Sequence, residues 1–477
     1  MSAALILLTL QGLLGAFDNL WNHEIQVGLA GRPGARRELL LHAVRQMLYA
    51  VVFVTLGWLA PMGAFAWAFA GLLLVELLIT LWDFVEEDRT RRLSPTERVT
   101  HTLLTVNYGA VLGLVAPEWW RWAQAPTGLE AAERGPLAWV MTLYAMGVLL
   151  WGGRELLAGL RFATPDWRRR PFAVGRSEAP LHVVVTGGTG FIGRHLVRRL
   201  VADGHGVTVL TRDPALAEFH FGPHAAAVSS LSDIPAGLRV DAVVNLAGAP
   251  TLGGPWTARR RRLLRESRTA TTRAVVDWLA GRAQRPAVLV SGSAIGFYGR
   301  RGDEGLDEAA APRPEFMSRL CQDWEAEAGR AAALGVRVVA LRIGLVLGRG
   351  GMLAGLLPSF RLGLGAVLGD GRQWWSWVHI DDLVGLILHA LADGGLSGPV
   401  NATAPEPVPQ REFGRMLGRR LRRPVRLRLP AGPLRLLLGE MAELLLAGQR
   451  VLPAKAEAAG YRFRHPTLDR ALEAIDV

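Results

Sequence analysis

His182-Val-Val-Val-Thr-Gly-Gly-Thr-Gly-Phe-Ile-Gly193 runs an apolar strand straight into three glycines spaced three residues apart. Val183 to Val185 has the pattern of a strand buried on both faces, and Arg194 to Ala202 reads as the helix after it. In that setting Gly187, Gly190 and Gly193 allow a tight turn, bring backbone amides up to a pyrophosphate, and let the helix press onto the sheet. The helix aims its positive end at that phosphate. A second strand, Val207 to Thr211, ends in Arg212, where a dinucleotide fold carries an acid for the ribose hydroxyl or a base for a 2′-phosphate. Arginine there favours NADP over NAD. The expected fold is an α/β doubly wound parallel sheet holding a diphosphate against the amides between Thr186 and Gly193.

The rest of the chain must be organised around that turn. At 477 residues it is too long for one core. Residues 1 to about 160 hold long apolar runs, whereas the remainder alternates apolar and charged stretches. The formal charge is +12, carried by arginine with Lys455 as the only lysine. Much of it lies in loops beside apolar segments, which fits an anionic membrane surface and argues against a nucleic-acid partner. The single cysteine, Cys321, forms no internal disulfide, consistent with a reducing compartment. No basic region precedes Ala3 to Phe17 and no small-residue cleavage pattern follows, so no removable signal peptide is expected.

Crossing a bilayer takes roughly 20 apolar residues. Ala3 to Trp21, Met47 to Ala60, Gly63 to Trp82, Leu103 to Ala116 and Leu137 to Leu157 make a set of five, the second and fourth reaching span length only if flanking residues join them. Five spans place the ends on opposite sides. Arg32, Arg36 and Arg37, then Arg89, Arg91, Arg92 and Arg98, then Arg168 to Arg170 all fall on one side, as the positive-inside rule expects. The expectation is a multi-pass inner (cytoplasmic) membrane protein, in contact with membrane lipid, whose soluble part faces the cytoplasm. Glu76 sits within an apolar run and is expected to pair with Arg45 or His42. Glu38 with His42, Asp83 with Glu87 and Glu97 with His101 stand four apart on helical faces, and His23 adjoins Glu24. These read as interfacial ion pairs and caps in preference to a metal site, so no metal ligand is assigned. The domains expected are 1–160, a helical membrane region; 161–180, a basic linker with the core RFATPDWRRRPF, including Phe172; 181–400, the dinucleotide domain; and 401–477, a small substrate-side domain.

Within the soluble part, Asp241 to Leu246 is a further strand that delivers Asn245, Ala247 and Gly248 to the sheet's carboxyl edge, where ligands of open α/β sheets bind. Trp256 to Leu279 reads as one long helix bearing Ser267, Arg268 and Thr272. Val288 to Ser291 leads into SGSAIGFYG, which carries Ser293 and Tyr298. Trp374, Trp375 and Trp377, with Gln373 and His379, either clamp a ring-shaped ligand or close a seam between units. Asp381 and Asp382 read as caps of the helix they begin.

Seven segments, VVVTGGTGFIG, NLAG (245–248), SGSAIGFYG (291–299), WE (324–325), LRIGLVLG (341–348), GRQWWSWVHIDDLV (371–384) and NATAPEPV (401–408), resemble the epimerase-like family of the extended short-chain dehydrogenase/reductases. The last 75 or so residues, including LLLGEMAELLLAGQRVLP, are similar to that family's C-terminal domain of unknown function. The membrane region resembles only a fused extension seen in some bacterial members. The resemblance implies a Rossmann domain binding NADP, with Thr189, Phe191 and Ile192 in the phosphate turn, Arg212 on the 2′-phosphate, Ala247 beside the cofactor, and a small C-terminal α/β substrate domain. An all-α transmembrane bundle precedes them.

One departure bears on the chemistry. The superfamily's tyrosine and lysine four residues apart cannot occur here, because the only lysine is Lys455 and position 451 is Val451. Where the pair should fall the chain offers Met317 and Cys321. A phenol of pKa near ~10 is a poor base without such help. Ser293, as a donor to a substrate carbonyl, and Tyr298, as an acid/base aided by Arg300 and Arg301, are the catalytic candidates. The implied function is a membrane-tethered NADP-binding oxidoreductase or epimerase-like protein acting on a small molecule such as a nucleotide sugar. The alternatives are a non-catalytic NADP-dependent sensor or scaffold, and a metal-dependent membrane oxidase drawing reductant from the Rossmann domain.

Overall fold

The computed structural model describes residues 1–90, 93–169, 178–252 and 255–475. Arg91, Arg92, Arg170, Phe172 and the centre of the expected linker lie outside the described residues. The chain divides into two compact units, Met1–Arg169 and Arg170–Val477.

The first unit is helical. Its helices are α1 (Ser2–Phe17), α2 (Arg36–Trp58), α3 (Ala64–Thr90), α4 (Pro95–Gln124) and α5 (Pro136–Arg161). Asp18–Val27 continues α1 as a π-helix, and a short antiparallel ribbon pairs Leu59–Met62 with Gly128–Ala131. Among the described residues, five helical segments are long and apolar enough to cross a membrane. The two expected to fall short reach full length because their polar flanks are helical as well: Glu38, His42 and Gln46 on α2, and Glu97 and His101 on α4, turn inward and are buried. Leu74, Leu78 and Trp82 on α3, Val106 on α4 and Leu150 on α5 face outward. Helices α2 and α5 approach closely through small residues: a Cβ on Gly57 would stand 2.9 Å from Met141, and one on Gly159 2.9 Å from Leu40. Glu76 does not take its expected partner; it accepts from the Thr80 hydroxyl at 2.8 Å, while Arg45 binds Asp83 at 2.7 Å. Glu24 pairs with Arg154 at 2.7 Å, not with its neighbour His23.

The second unit is built on seven parallel strands: β1 (His182–Thr186), β2 (Gly206–Leu210), β3 (Ala226–Val228), β4 (Ala242–Asn245), β5 (Val288–Ala294), β6 (Arg337–Ile343) and β7 (Gly398–Ala402). Their spatial order is 3-2-1-4-5-6-7, the doubly wound order with its switch point between β1 and β4. Alternation along each strand splits the core. Val183, Val185, Val244 and Val290 pack on α6 (Phe191–Ala202) and on the helix Ile380–Ala392. Val184, Val243 and Leu289 face α7 (Ala258–Ala280) and the end of α8 (Phe316–Gly329) on the other side. Each such fully buried aliphatic side chain contributes about 1.5–3 kcal/mol. The expected boundary at 400–401 falls inside β7, so Asn401 and Ala402 belong to the sheet. The Trp cluster closes a seam: Trp375 and Trp377 are buried in a core with Phe413 and Leu417, and Trp374 bonds Asp303 at 2.6 Å.

Candidate active site

Strand register lays two rows of polar side chains across the sheet near its carboxyl ends. Thr186 lies opposite Asn245, and Asn245 opposite Ser291. Ser293 lies opposite Arg342, and Arg342 opposite Asn401. In-register residues of parallel neighbours share a face, so residues far apart in the chain meet.

The first row underlies the glycine turn. Gly187 has φ +69°, and a Cβ on it would stand 2.8 Å from the carbonyl of Leu246; a Cβ on Gly193 would collide with the Gly187 carbonyl. Gly190 caps α6 without a side-chain bond, which leaves the amides of the first turn, at Phe191, Ile192 and Gly193, available to a diphosphate. Ala247 and Gly248 border this turn: Leu246 and Ala247 meet Gly187, and Gly248 packs on the Arg268 guanidinium. Arg212 is exposed just past β2. The turn therefore fits a dinucleotide. Thr186 and Asn245 need correction as direct cofactor contacts. Both are buried; the Thr186 hydroxyl donates to Asn245 Oδ1 at 2.6 Å and accepts from the Ala247 amide at 3.2 Å, and Asn245 donates to Thr272 at 2.8 Å. They brace the loop from below.

The second row forms a charged network. Ser293 Oγ donates to Glu325 Oε1 at 2.6 Å. Arg342 holds the same carboxylate through two bonds of 2.9 Å and reaches the Tyr298 hydroxyl at 2.9 Å. That hydroxyl donates to Asn401 Oδ1 at 2.6 Å. Tyr298 is 0% exposed, and burial pushes its phenol above the ordinary value, against the opposing pull of Arg342. Arg300 and Arg301 do not touch the phenol: Arg300 binds Glu315 at 3.2 Å, and Arg301 reaches Glu304 and the Tyr298 carbonyl. Tyr298 thus stands in the core as a brace, out of reach as an accessible acid/base.

A cavity of about 740 Å³ is lined by Ala294 and Ile343, next in the chain to Ser293 and Arg342, with Trp256, Gly296, Met317 and Gly344 among others. It carries charge on its walls, with Arg261 against Glu440 at 2.9 Å and Arg265 against Asp323. Cys321, at the position of the expected lysine, is fully buried, and burial pushes its thiol up to about 12, so it is no nucleophile. Asp382 does not cap its helix. His379 does, its Nδ1 accepting from the Asp381 amide at 3.2 Å, while Asp382 is buried and accepts from the Arg464 and His465 amides at 2.6 and 2.9 Å.

Glu325 and Arg342 were not singled out as site residues from the sequence, although both lie in segments quoted for the resemblance. The signal was present in LRIGLVLG: a lone arginine in an otherwise apolar strand needs a buried acid.

Residues 183–402 match the NAD dependent epimerase/dehydratase family, and residues 429–475 match DUF1731, a domain of unknown function. The chain is 40% identical over 330 residues to the chloroplastic epimerase family protein SDR39U1 homolog of Arabidopsis thaliana, covering 67% of this chain and 94% of that one. It is 35% identical to the epimerase family protein YfhF of Bacillus subtilis, covering 62% of this chain and 98% of that one. The human epimerase family protein SDR39U1, solved with NADPH, superimposes with a TM-score of 0.56 at 34% identity, covering 62% of this chain and 99% of that one. Parallel sheet, glycine turn and sequence likeness together establish that this chain belongs to the NAD dependent epimerase/dehydratase family.

Proposed function

We propose that the second unit binds NADPH and reduces or epimerises a small substrate held in the cavity beside Ala294 and Met317, and that the first unit fixes it to a membrane. The observation that carries this is the Ser293–Glu325–Arg342 network, whose chain neighbours Ala294 and Ile343 line that cavity. The cofactor, when bound, would supply the hydride as NADPH or accept it as NADP⁺. The amides of Phe191, Ile192 and Gly193 would hold its diphosphate, and the exposed Arg212 its 2′-phosphate. Arg342 orients the Glu325 carboxylate, which accepts from the Ser293 hydroxyl; as that proton passes to Glu325 the serine oxygen would take one from a substrate hydroxyl, and the reverse relay would return it to a substrate carbonyl. Tyr298 and Asn401 position Arg342. The cavity wall, with Trp256 and Met317 beside paired arginines, suits a molecule with one apolar and one anionic part, and a nucleotide sugar meets that description.

The five long apolar segments with outward-facing leucines support the membrane reading, and the arginine-rich loops support a cytoplasmic position for the second unit. The test uses full-length protein in detergent. NADPH binding is measured by titration, and absorbance at the nicotinamide band is followed with a panel of carbonyl compounds and nucleotide sugars. Turnover that E325Q lowers about 100-fold with NADPH affinity unchanged supports catalysis. Binding without turnover on any compound favours the second reading, an NADPH-dependent sensor, which the burial of Tyr298 already makes plausible.

A further inference from the structure

We infer that the helical first unit binds two divalent first-row transition-metal ions through His23, His42, His101 and the carboxylates of Glu38, Glu87 and Glu97, with Glu87 shared between the two. Pairs four apart on α2, α3 and α4 are individually unremarkable in the sequence. Folded together, they converge from three helices and the π-helical extension of α1.

Two sets of donors overlap. His23, Glu87, Glu97 and His101 each bring one donor atom within 4.8 Å of the others, and Glu38, His42 and Glu87 do the same. Metal bonds of about 2.0–2.2 Å place the donors around one ion roughly 3–4 Å apart. The distances here fall in that window: His23 Nε2 is 3.6 Å from Glu97 Oε1 and 3.9 Å from Glu87 Oε1, His101 Nδ1 is 3.5 Å from Glu87 Oε2, and His42 Nε2 is 3.6 Å from Glu87 Oε1. They are too long for good N–H···O hydrogen bonds and of the length expected between donors that share an ion. Glu87 presents one oxygen to His42 and His23 and the other to His101, the arrangement of a bridging carboxylate. Imidazole with carboxylate selects first-row ions over calcium or magnesium, and such a set inside a helical bundle is a recurring way to hold two of them.

The surrounding residues orient the ligands as a metal site requires. His101 turns its other nitrogen, Nε2, to Asp18 Oδ2 at 3.1 Å, and Asp18 is held by Asn22 at 2.7 Å. A carboxylate on the far side of an imidazole fixes its tautomer and raises its basicity. Glu97 uses Oε2 toward the Ser94 amide, which aims Oε1 at His23. The His23 and His42 rings lie stacked, 4.7 Å apart. Asp18 and His23 ride on the ten-residue π-helix Asp18–Val27, a form that is rare and concentrated at functional sites. There is also an approach: Asp18 and His101 line a largely apolar cavity of about 630 Å³ that runs between Gly12, Tyr49, Tyr108 and Tyr144. His42 Nε2 also lies 3.0 Å from Asp83 Oδ2, which Arg45 holds at 2.7 Å; gathering this many carboxylates and imidazoles at such depth is costly for a purely structural role.

The test is metal content. Full-length protein in detergent is stripped with a chelator, offered Fe²⁺ under anaerobic conditions, Mn²⁺ or Zn²⁺ separately, freed of excess ion by gel filtration, and measured by elemental mass spectrometry. We expect about two equivalents of at least one ion in the wild type, about half an equivalent or less in E87A, and about two in E24A, whose carboxylate pairs with Arg154. Wild type holding about one equivalent or less of every ion, or E87A holding as much as wild type, overturns the inference. Should E87A not be recovered as a monodisperse particle, H42Q and H101Q replace it: each must lose about one equivalent, and an unchanged content in both overturns the two-ion site.

Discussion

Arg342 meets Glu325 through two parallel hydrogen bonds, Nε to Oε1 and Nη2 to Oε2, each 2.9 Å long. The arginine is 3% exposed and lies in the sixth strand, while the acid stands on α8. Burial opposes the guanidinium's charge, but the Glu325 carboxylate outweighs it and holds Arg342 above its ordinary pKa. Removing the acid leaves a buried cation with only neutral partners. E325A should therefore destabilise the second unit by about 3 kcal/mol, read as a fall in the unfolding transition that NADPH shifts. An unchanged transition would show the pair to be dispensable.

Tyr298 separates bracing from chemistry. Its hydroxyl has two partners, Arg342 and Asn401, and no exposure. Y298F leaves both buried partners short of one bond and should cost about 1–3 kcal/mol, while NADPH affinity stays within about twofold. A loss of NADPH binding larger than tenfold would mean that the phenol does more than brace.

In the function proposed above, cofactor choice rests on Arg212, which is exposed beyond β2. R212A should weaken NADPH by about 10–100-fold, the value of one charge-assisted phosphate contact, and leave NADH unchanged. Equal weakening of both cofactors in a direct titration would refute its role at the 2′-phosphate.

His379 gives the second unit a pH dependence. Burial first, and then the neighbouring His465, hold its pKa below the ordinary value. Its Nδ1 must stay unprotonated to accept from the Asp381 amide. Because the folded-state value is depressed below the unfolded one near ~6.5, the stability it contributes is complete above that pH and is lost as pH falls through the folded-state value. Thermal unfolding measured from pH 7.5 down to about 5 should show this loss. H379N, which caps without titrating, should flatten the curve, and parallel curves for the two proteins would exclude His379 as the cause.

The turn at 187–193 was legible because every requirement on it is local: three glycines, a strand before and a helix after. The place of Arg212 just past the second strand was legible for the same reason. Ser293 was singled out, but its partner was not, since Glu325 lies 32 residues on and meets it only through the pairing of β5 with α8 and β6. Tyr298 was misread because its neighbours in sequence, Arg300 and Arg301, are not its neighbours in space; strand register supplies Arg342 and Asn401 instead. In the first unit the four-residue spacings were visible, yet their convergence depends on how five helices pack, which no spacing along one helix encodes.

The C-terminal residues are wired into the sheet. Asp382 takes the Arg464 and His465 amides, Asn401 donates to the Leu452 carbonyl at 2.9 Å, and Arg450–Val451 pairs alongside Gly305–Leu306. A chain trimmed before residue 450 would keep the whole glycine turn yet strand a carboxylate in the interior and untie the residue that anchors Tyr298. Shortening this protein from its far end therefore strikes the Arg342 network before it touches the nucleotide cradle.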